Sequence, residues 1–207
     1  MHNPTSDHEP SQPLSIPLFP LPLVLFPGAW LPLRIFETRY LNMVRDCTSS
    51  GTSFGIVHME PAETGRTARH AVIGTEAHIE DFSTLDDGLL GIECRGGSRF
   101  RIQRTFARED GLLMAEIDWL AEEQRQAVAA EFGALQTLLQ QIMQQKELPI
   151  DPQTDPAEAS SLSMALAAIL PMASAQAQVA LEMHNPNQRL GYLLTLLQSG
   201  DDRMLQA

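Results

Sequence analysis

The chain has 207 residues, 43% of them apolar and 19% charged, enough for one large domain, or a domain with an appendage, around a real core. A net charge of −12, with Lys146 as the only lysine, argues against a general binder of nucleic acid or anionic membrane, because phosphate affinity needs clustered Lys and Arg. Two cysteines, Cys47 and Cys94, and a start without the basic and apolar regions of a secretory signal predict reduced thiols in a cytoplasmic protein; no apolar run reaches the ~20 residues that span a bilayer.

Residues 1–13 are polar and contain prolines, and are expected to form a loose tail. Ile16–Tyr40 then packs apolar residues and prolines together. Pro17, Pro20, Pro22, Pro27 and Pro32 rule out a helix, since each fixes φ and removes a donor. They predict short strands, with proline at strand starts, edges or turns, and a tight turn at Pro27-Gly28. Phe36, Tyr40, Met43 and Val44 share one helical face, which predicts a helix from about Glu37 to Cys47, stopping at Thr48–Gly51. Ser53–Met59 reads as a buried strand, Glu60–Arg69 as a polar loop, and Ala71–Phe82 as a strand interrupted at Gly74.

Asp86-Asp87-Gly88 and Glu109-Asp110-Gly111 supply the positive φ of tight hairpins, joining Ala77–Leu85 to Leu89–Cys94 and Arg99–Arg108 to Leu112–Trp119. Gly96-Gly97 is expected to make a third turn between them. The resulting antiparallel meander, joined to the opening strands, predicts a curved sheet or small barrel over residues 14–120. From Ala121 the pattern is helical. Val128, Phe132, Leu135, Leu138, Leu139 and Ile142 predict one long helix ending before Pro149. Asp155-Pro156-Ala157-Glu158 reads as a capping box opening a second helix, which meets Pro171. Ser174 caps a short helix through Met183, and Asn185-Pro186 opens a last one ending at Gly200. The fold class is therefore α+β: a barrel followed by a carboxyl-terminal helical bundle over residues 121–200.

The opening I-P-L-F-P-L, the L-F-P-G turn and the L-R-I-F-E-x-R-Y run (Leu33–Tyr40) resemble the start of the LON substrate-binding domain, the amino-terminal domain of ATP-dependent Lon proteases. The likeness continues at Gly97-x-Arg99-Phe100-Arg101-Ile102, at Leu166–Met172 and at Leu181–Leu197, covering roughly residues 14–199. It implies a PUA-like barrel followed by helices. It also implies a stand-alone, non-catalytic module that binds unfolded or hydrophobic polypeptide segments, with a protease or chaperone as a further partner. No cofactor is expected. A P-loop needs Gly-Lys-Ser/Thr and a Lon peptidase needs a Ser-Lys dyad; Lys146, the sole lysine, follows Gln145 and lacks both settings.

Gly51-Thr52-Ser53-Phe54-Gly55 matches G-x-S-x-G, yet a helix precedes it and a strand follows, the reverse of a nucleophile elbow. The six histidines and two cysteines show no metal-ligand spacing. Arg95, Arg99, Arg101, Arg104 and Arg108 form a basic stretch; PUA-like barrels elsewhere bind RNA, so the first four make an alternative RNA face, although alternating Arg usually just solvates a sheet. Arg34, Glu37, Arg39 and Tyr40 form a candidate recognition cluster, or else an ion pair beside a tyrosine packed under the helix. Phe26, Pro27, Gly28 and Trp30 make an apolar turn suited to the rim of a groove that accepts an extended hydrophobic segment, or a plug closing the barrel.

Overall fold

A computed structural model describes residues 14–60, 69–144 and 148–204; the expected amino-terminal tail, most of the Glu60–Arg69 loop and Lys146 lie outside the described residues. Seven strands come first: β1 (Ser15–Leu21), β2 (Trp30–Ile35), β3 (Phe54–Glu60), β4 (Arg69–His70), β5 (Ile73–Thr84), β6 (Leu90–Ala107) and β7 (Leu113–Trp119). Helix α1 (Thr38–Ser50) separates β2 from β3; α2 (Gly133–Ile142), α3 (Ala159–Ile169), α4 (Ser174–Glu182) and α5 (Pro186–Met204) follow β7.

Strands β1, β7, β6, β5 and β3 pair in that order, and β1 then pairs β3 in parallel, so the sheet closes on itself. Alternation along β3 sorts the two cores. Phe54 and Ile56 face outward to the helices, whereas Val57 joins Leu18, Phe100, Ile102 and Ile117 inside. The lumen is narrow. A Cβ on Gly55 would lie 2.5 Å from Phe100 Cζ, and one on Gly74 2.6 Å, so two glycines make room for one phenylalanine. Gly74 therefore interrupts the apolar pattern of β5 without breaking the strand.

Both Asp-Gly hairpins form, with Gly88 at φ 82° and Gly111 at φ 79°. The turn expected at Gly96-Gly97 does not. β6 runs unbroken through it for 18 residues, because neither glycine has a positive φ. Gly96 instead admits the Phe26 carbonyl, which would sit 2.1 Å from a Cβ there. The distal half of β6 leaves the barrel as an arm flanked by β5 and β2. Trp30 N–H donates to Pro149 O, away from β6, at 2.9 Å. Alternation then points the amides of residues 30 and 34 outward, and Pro32 falls in the same phase, where a missing donor costs no ladder bond to β6.

Helix α1 buries Tyr40, Met43, Val44 and Cys47 and ends at Gly51, φ 63°; Phe36 precedes it and is exposed, outside the expected face. The long helix expected from Ala121 is shorter. Residues 121–129 are not helical and bridge Glu158 at Ala127, and α2 begins only at Gly133 after one 3-10 turn. This non-helical segment carries Glu123 between barrel and bundle. The start of α3 also shifts. Glu158, not Asp155, is the cap, its carboxylate accepting from Ser160 N at 3.0 Å and Ser161 N at 2.6 Å. Asp155 closes the preceding turn through Ala157 N at 2.9 Å. Ala173 precedes α4 in place of Ser174, whose hydroxyl donates to Pro22 O at 2.8 Å. Asn185 caps α5 as expected, accepting from Asn187 N and Gln188 N, but the helix passes Gly200 and runs to Met204.

Candidate functional site: a groove between barrel and helices

The Leu25–Gly28 turn is built into the wall between the two halves. Thr75, fully buried, donates its hydroxyl to Leu25 O at 2.6 Å. Gly28 N–H donates to Gly96 O at 2.8 Å, and Asp151 N–H donates to Gly28 O at 2.8 Å. Gly28 sits at φ 75°, which favours glycine. Phe26 is 2% exposed and packs in the core between barrel and helices, not in the barrel lumen; Pro27 and Gly28 are only partly covered.

A cleft of about 360 Å³ opens beside Pro27, lined also by Glu76, His78, Ser98, Leu120, Glu122 and Met164. A second, of about 310 Å³, lies between Pro27-Gly28, the 150–154 loop and the first turns of α3. The two share Pro27, Glu158, Ser160 and Met164, so they are one groove bent over the start of α3.

Behind it stands a buried ionic node. Arg189 is fully buried, and its five N–H groups reach Ala180 O, Ser163 Oγ, Met183 O and both oxygens of Glu123. Arg99 donates to Leu181 O at 2.6 Å, Met183 O at 2.8 Å and Glu123 Oε1 at 2.6 Å. Ser160 donates to Glu123 Oε2 at 2.6 Å. One carboxylate thus joins β6, the non-helical 121–129 segment, α3 and α5. The two guanidinium groups exceed it by one positive charge, which the carbonyls at the end of α4 offset. Burial pushes the Glu123 carboxyl up, but the hydrogen bonds from Arg189 and Ser160 and the two arginine charges outweigh it and hold it below the usual range. Burial lowers Arg99; Glu123 opposes that and Arg189 reinforces it.

Of the residues singled out in the sequence, the groove takes Pro27 and Gly28. Trp30 is half-buried at the start of β2, outside it. Arg34 pairs with Asp87 on the arm, Glu37 with Arg39 at 2.6 Å, and Tyr40 stacks on Phe19 at 4.0 Å. Those last three form the ion pair and packed tyrosine, away from the groove. The arginine stripe is divided. Arg99 is 6% exposed and belongs to the node, so it is not a surface residue. Arg95 pairs with Glu80 at 2.8 Å, Arg104 with Glu116, and Arg108 with Asp110 at 2.6 Å; Arg101 is exposed. Ser53 donates to Glu76 Oε1 at 2.5 Å, and Glu76 in turn contacts His78 at 3.2 Å. The carboxylate thus stands between serine and imidazole, so the hydroxyl faces Glu76 and not the histidine of a Ser-His arrangement. Among the described residues no group of three or more His, Cys, Asp or Glu could hold a metal ion, and no helix is long and apolar enough to cross a membrane. Sequence reasoning missed Glu76, Glu122, Glu123, Glu158 and Met164 as groove residues.

Comparison with known proteins agrees with this architecture. A Lon N-terminal domain protein from Xanthomonas campestris is 36% identical and superposes with a TM-score of 0.74, covering 88% of this chain and 98% of that one. The N-terminal domain of Mycobacterium avium complex Lon protease, 18% identical, shares the fold with a TM-score of 0.61. Escherichia coli Lon protease is 25% identical over 94% of this chain, and zebrafish (Danio rerio) protein cereblon 29% over 56%. The chain spans only 26% and 27% of the length of these last two relatives. The family described as the ATP-dependent protease La (LON) substrate-binding domain matches residues 15–199, and the chain belongs to that family.

Proposed function

We propose that this chain is a non-catalytic polypeptide-binding module that holds extended segments of unfolded clients in the groove between barrel and helices, in the cytoplasm. The observation that carries the reading is the placement of Pro27-Gly28: the turn anchored between barrel and helices is also one wall of a groove whose other wall is α3. Leu120, Met164 and Ala165 give the groove apolar surface, while Ser160, Ser161 and the backbone of the 150–154 loop offer polar contacts to a client main chain. The family match supports the same reading, since it covers a substrate-binding domain and no ATPase or peptidase part. Pairing of Arg95 and Arg104 with carboxylates, and burial of Arg99, count against an RNA face.

Fluorescence anisotropy with a labelled, permanently unfolded protein tests the proposal. Saturable micromolar binding is expected, weakened by Gln153→Trp, which places a large side chain at the exposed lip of the groove. Absence of binding, or binding indifferent to Gln153→Trp and to Pro27→Asp, sinks it.

A further inference from the structure

The groove does not present the same face to every polypeptide. Its lining carries five carboxylates, from Glu76, Glu122, Glu123, Asp151 and Glu158, against the guanidinium groups of Arg99 and Arg125. Glu123 and Arg99 are engaged with each other in the node, at 2.6 Å. Four carboxylates then face Arg125, whose own nearest acidic contact is Asp155 at 3.8 Å. Arg95 approaches Asp151 only at 3.9 Å, its closer partner being Glu80 at 2.8 Å. The four are not equally free. Glu158 is occupied by the first amides of α3, and Glu76 by Ser53 and His78. Glu122 is exposed at the lip, and Asp151 bonds Gln153 N–H through one oxygen only, at 2.8 Å. Between these carboxylates lie Pro27, Leu120, Ile150 and Met164. The whole chain, at −12, adds a field of the same sign.

We infer that the groove selects extended segments in which apolar side chains alternate with lysine or arginine, and rejects segments of the same apolar content that carry aspartate or glutamate. The inference rests on the polypeptide-binding reading above and narrows it to a substrate class. The apolar side chains enter between Pro27 and Met164, where they lose water. The cationic side chains lie along the lip, with Glu122 and Asp151 as their partners. An acidic segment brings like charges together across the same lip, which penalises the wrong ligand more than it changes the right one. The lip is wet, so the selectivity is screened as salt rises.

The test uses the full chain and two fluorescent peptides with identical apolar residues, one with lysine and one with glutamate at the intervening positions. The unfolded protein used above serves as a third ligand. The lysine peptide is expected to bind roughly tenfold more tightly than the glutamate peptide at low salt, and the gap is expected to close as salt is raised. Glu122→Lys, at an exposed position outside the node, is expected to remove most of the preference; Arg125→Glu is expected to widen it. Equal affinity for the two peptides overturns the charge selection and leaves polypeptide binding standing, as does a preference unchanged in Glu122→Lys. Binding of the unfolded protein with no binding of either peptide also overturns the inference, because it moves the client surface out of the groove. Failure of all three ligands to bind overturns the polypeptide-binding reading itself.

Discussion

The barrel interior and the barrel–helix junction are held by opposite means. Inside the barrel, Leu18, Val57, Phe100 and Ile117 meet with no polar side chain among them, and Gly55 and Gly74 set the width to one phenyl ring. At the junction, the side chains of Arg99, Glu123 and Arg189 are as deeply buried as the barrel core, yet they are held by hydrogen bonds to one another, to carbonyls and to the hydroxyls of Ser160 and Ser163. Shape fixes the first region; satisfaction of donors and acceptors fixes the second. The practical difference is tolerance. A packed lumen loses stability by degrees as volume changes, whereas a buried ionic node fails when one partner leaves two charges unpaired.

Glu123→Ala is the sharpest way to break the comparison. It strands Arg99 and Arg189 in the junction and is expected to cost about 3–5 kcal/mol in urea denaturation. If it costs no more than a surface substitution, the node is ornamental. Gly74→Ala probes the other region. Its Cβ would meet Phe100 and the Ile56 carbonyl at 2.6 Å, and overpacking of this kind costs about 1–3 kcal/mol. Phe100→Leu in the same chain should recover part of that loss, and a double-mutant cycle showing no coupling would deny that the two share the lumen. Glu158→Ala removes the cap of α3 and is expected to cost about 1 kcal/mol, with a larger effect on client binding because the groove bends over that turn.

The smallest effects are read by pH, at the junction and at a buried thiol in the core between barrel and helices. Glu123 is held below the usual carboxylate range, so its contribution is present above its ordinary pKa of 4.5 and is lost as pH falls below it. Glu123→Gln should therefore flatten the acid limb of stability, measured by urea midpoints. Cys94 behaves in the opposite sense: burial and the neighbouring Cys47 push its thiol up to about 12. Native stability then falls as pH rises from the ordinary thiol range toward that value, and Cys94→Ala should remove that part of the alkaline slope.

Elements with local chemistry were legible in the sequence. The Asp-Gly hairpins, the Asn185 cap and the face of α1 each depend on residues within one turn of each other. What was not legible depends on distant partners. Gly96-Gly97 has the composition of a turn, but Gly96 is small because the Phe26 carbonyl, from far upstream, lies against it. Asp155 and Glu158 are both acceptable caps, and the bridge at Ala127 accompanies the later one. Alternating arginines read as a wet face; Arg99 is dry because the end of α4, some eighty residues on, covers it. The same limit applies to the site: Pro27-Gly28 announced a turn at a rim, but the opposite wall comes from α3, which no local pattern could bring there.

On the polypeptide-binding proposal, Pro32 has a consequence for how the molecule coexists with unfolded chains. On one side the arm formed by β5, β6 and β2 ends at β2, and the outward amide at position 32 is missing. An unfolded chain laid along that margin finds a gap where a register of bonds would start, and a second copy of the protein meets the same gap. A protein that gathers exposed, sticky segments at high local concentration is in constant danger of becoming the seed on which they assemble into fibrils. Blunting this margin lets β2 stay extended in that company without serving as a template for growth.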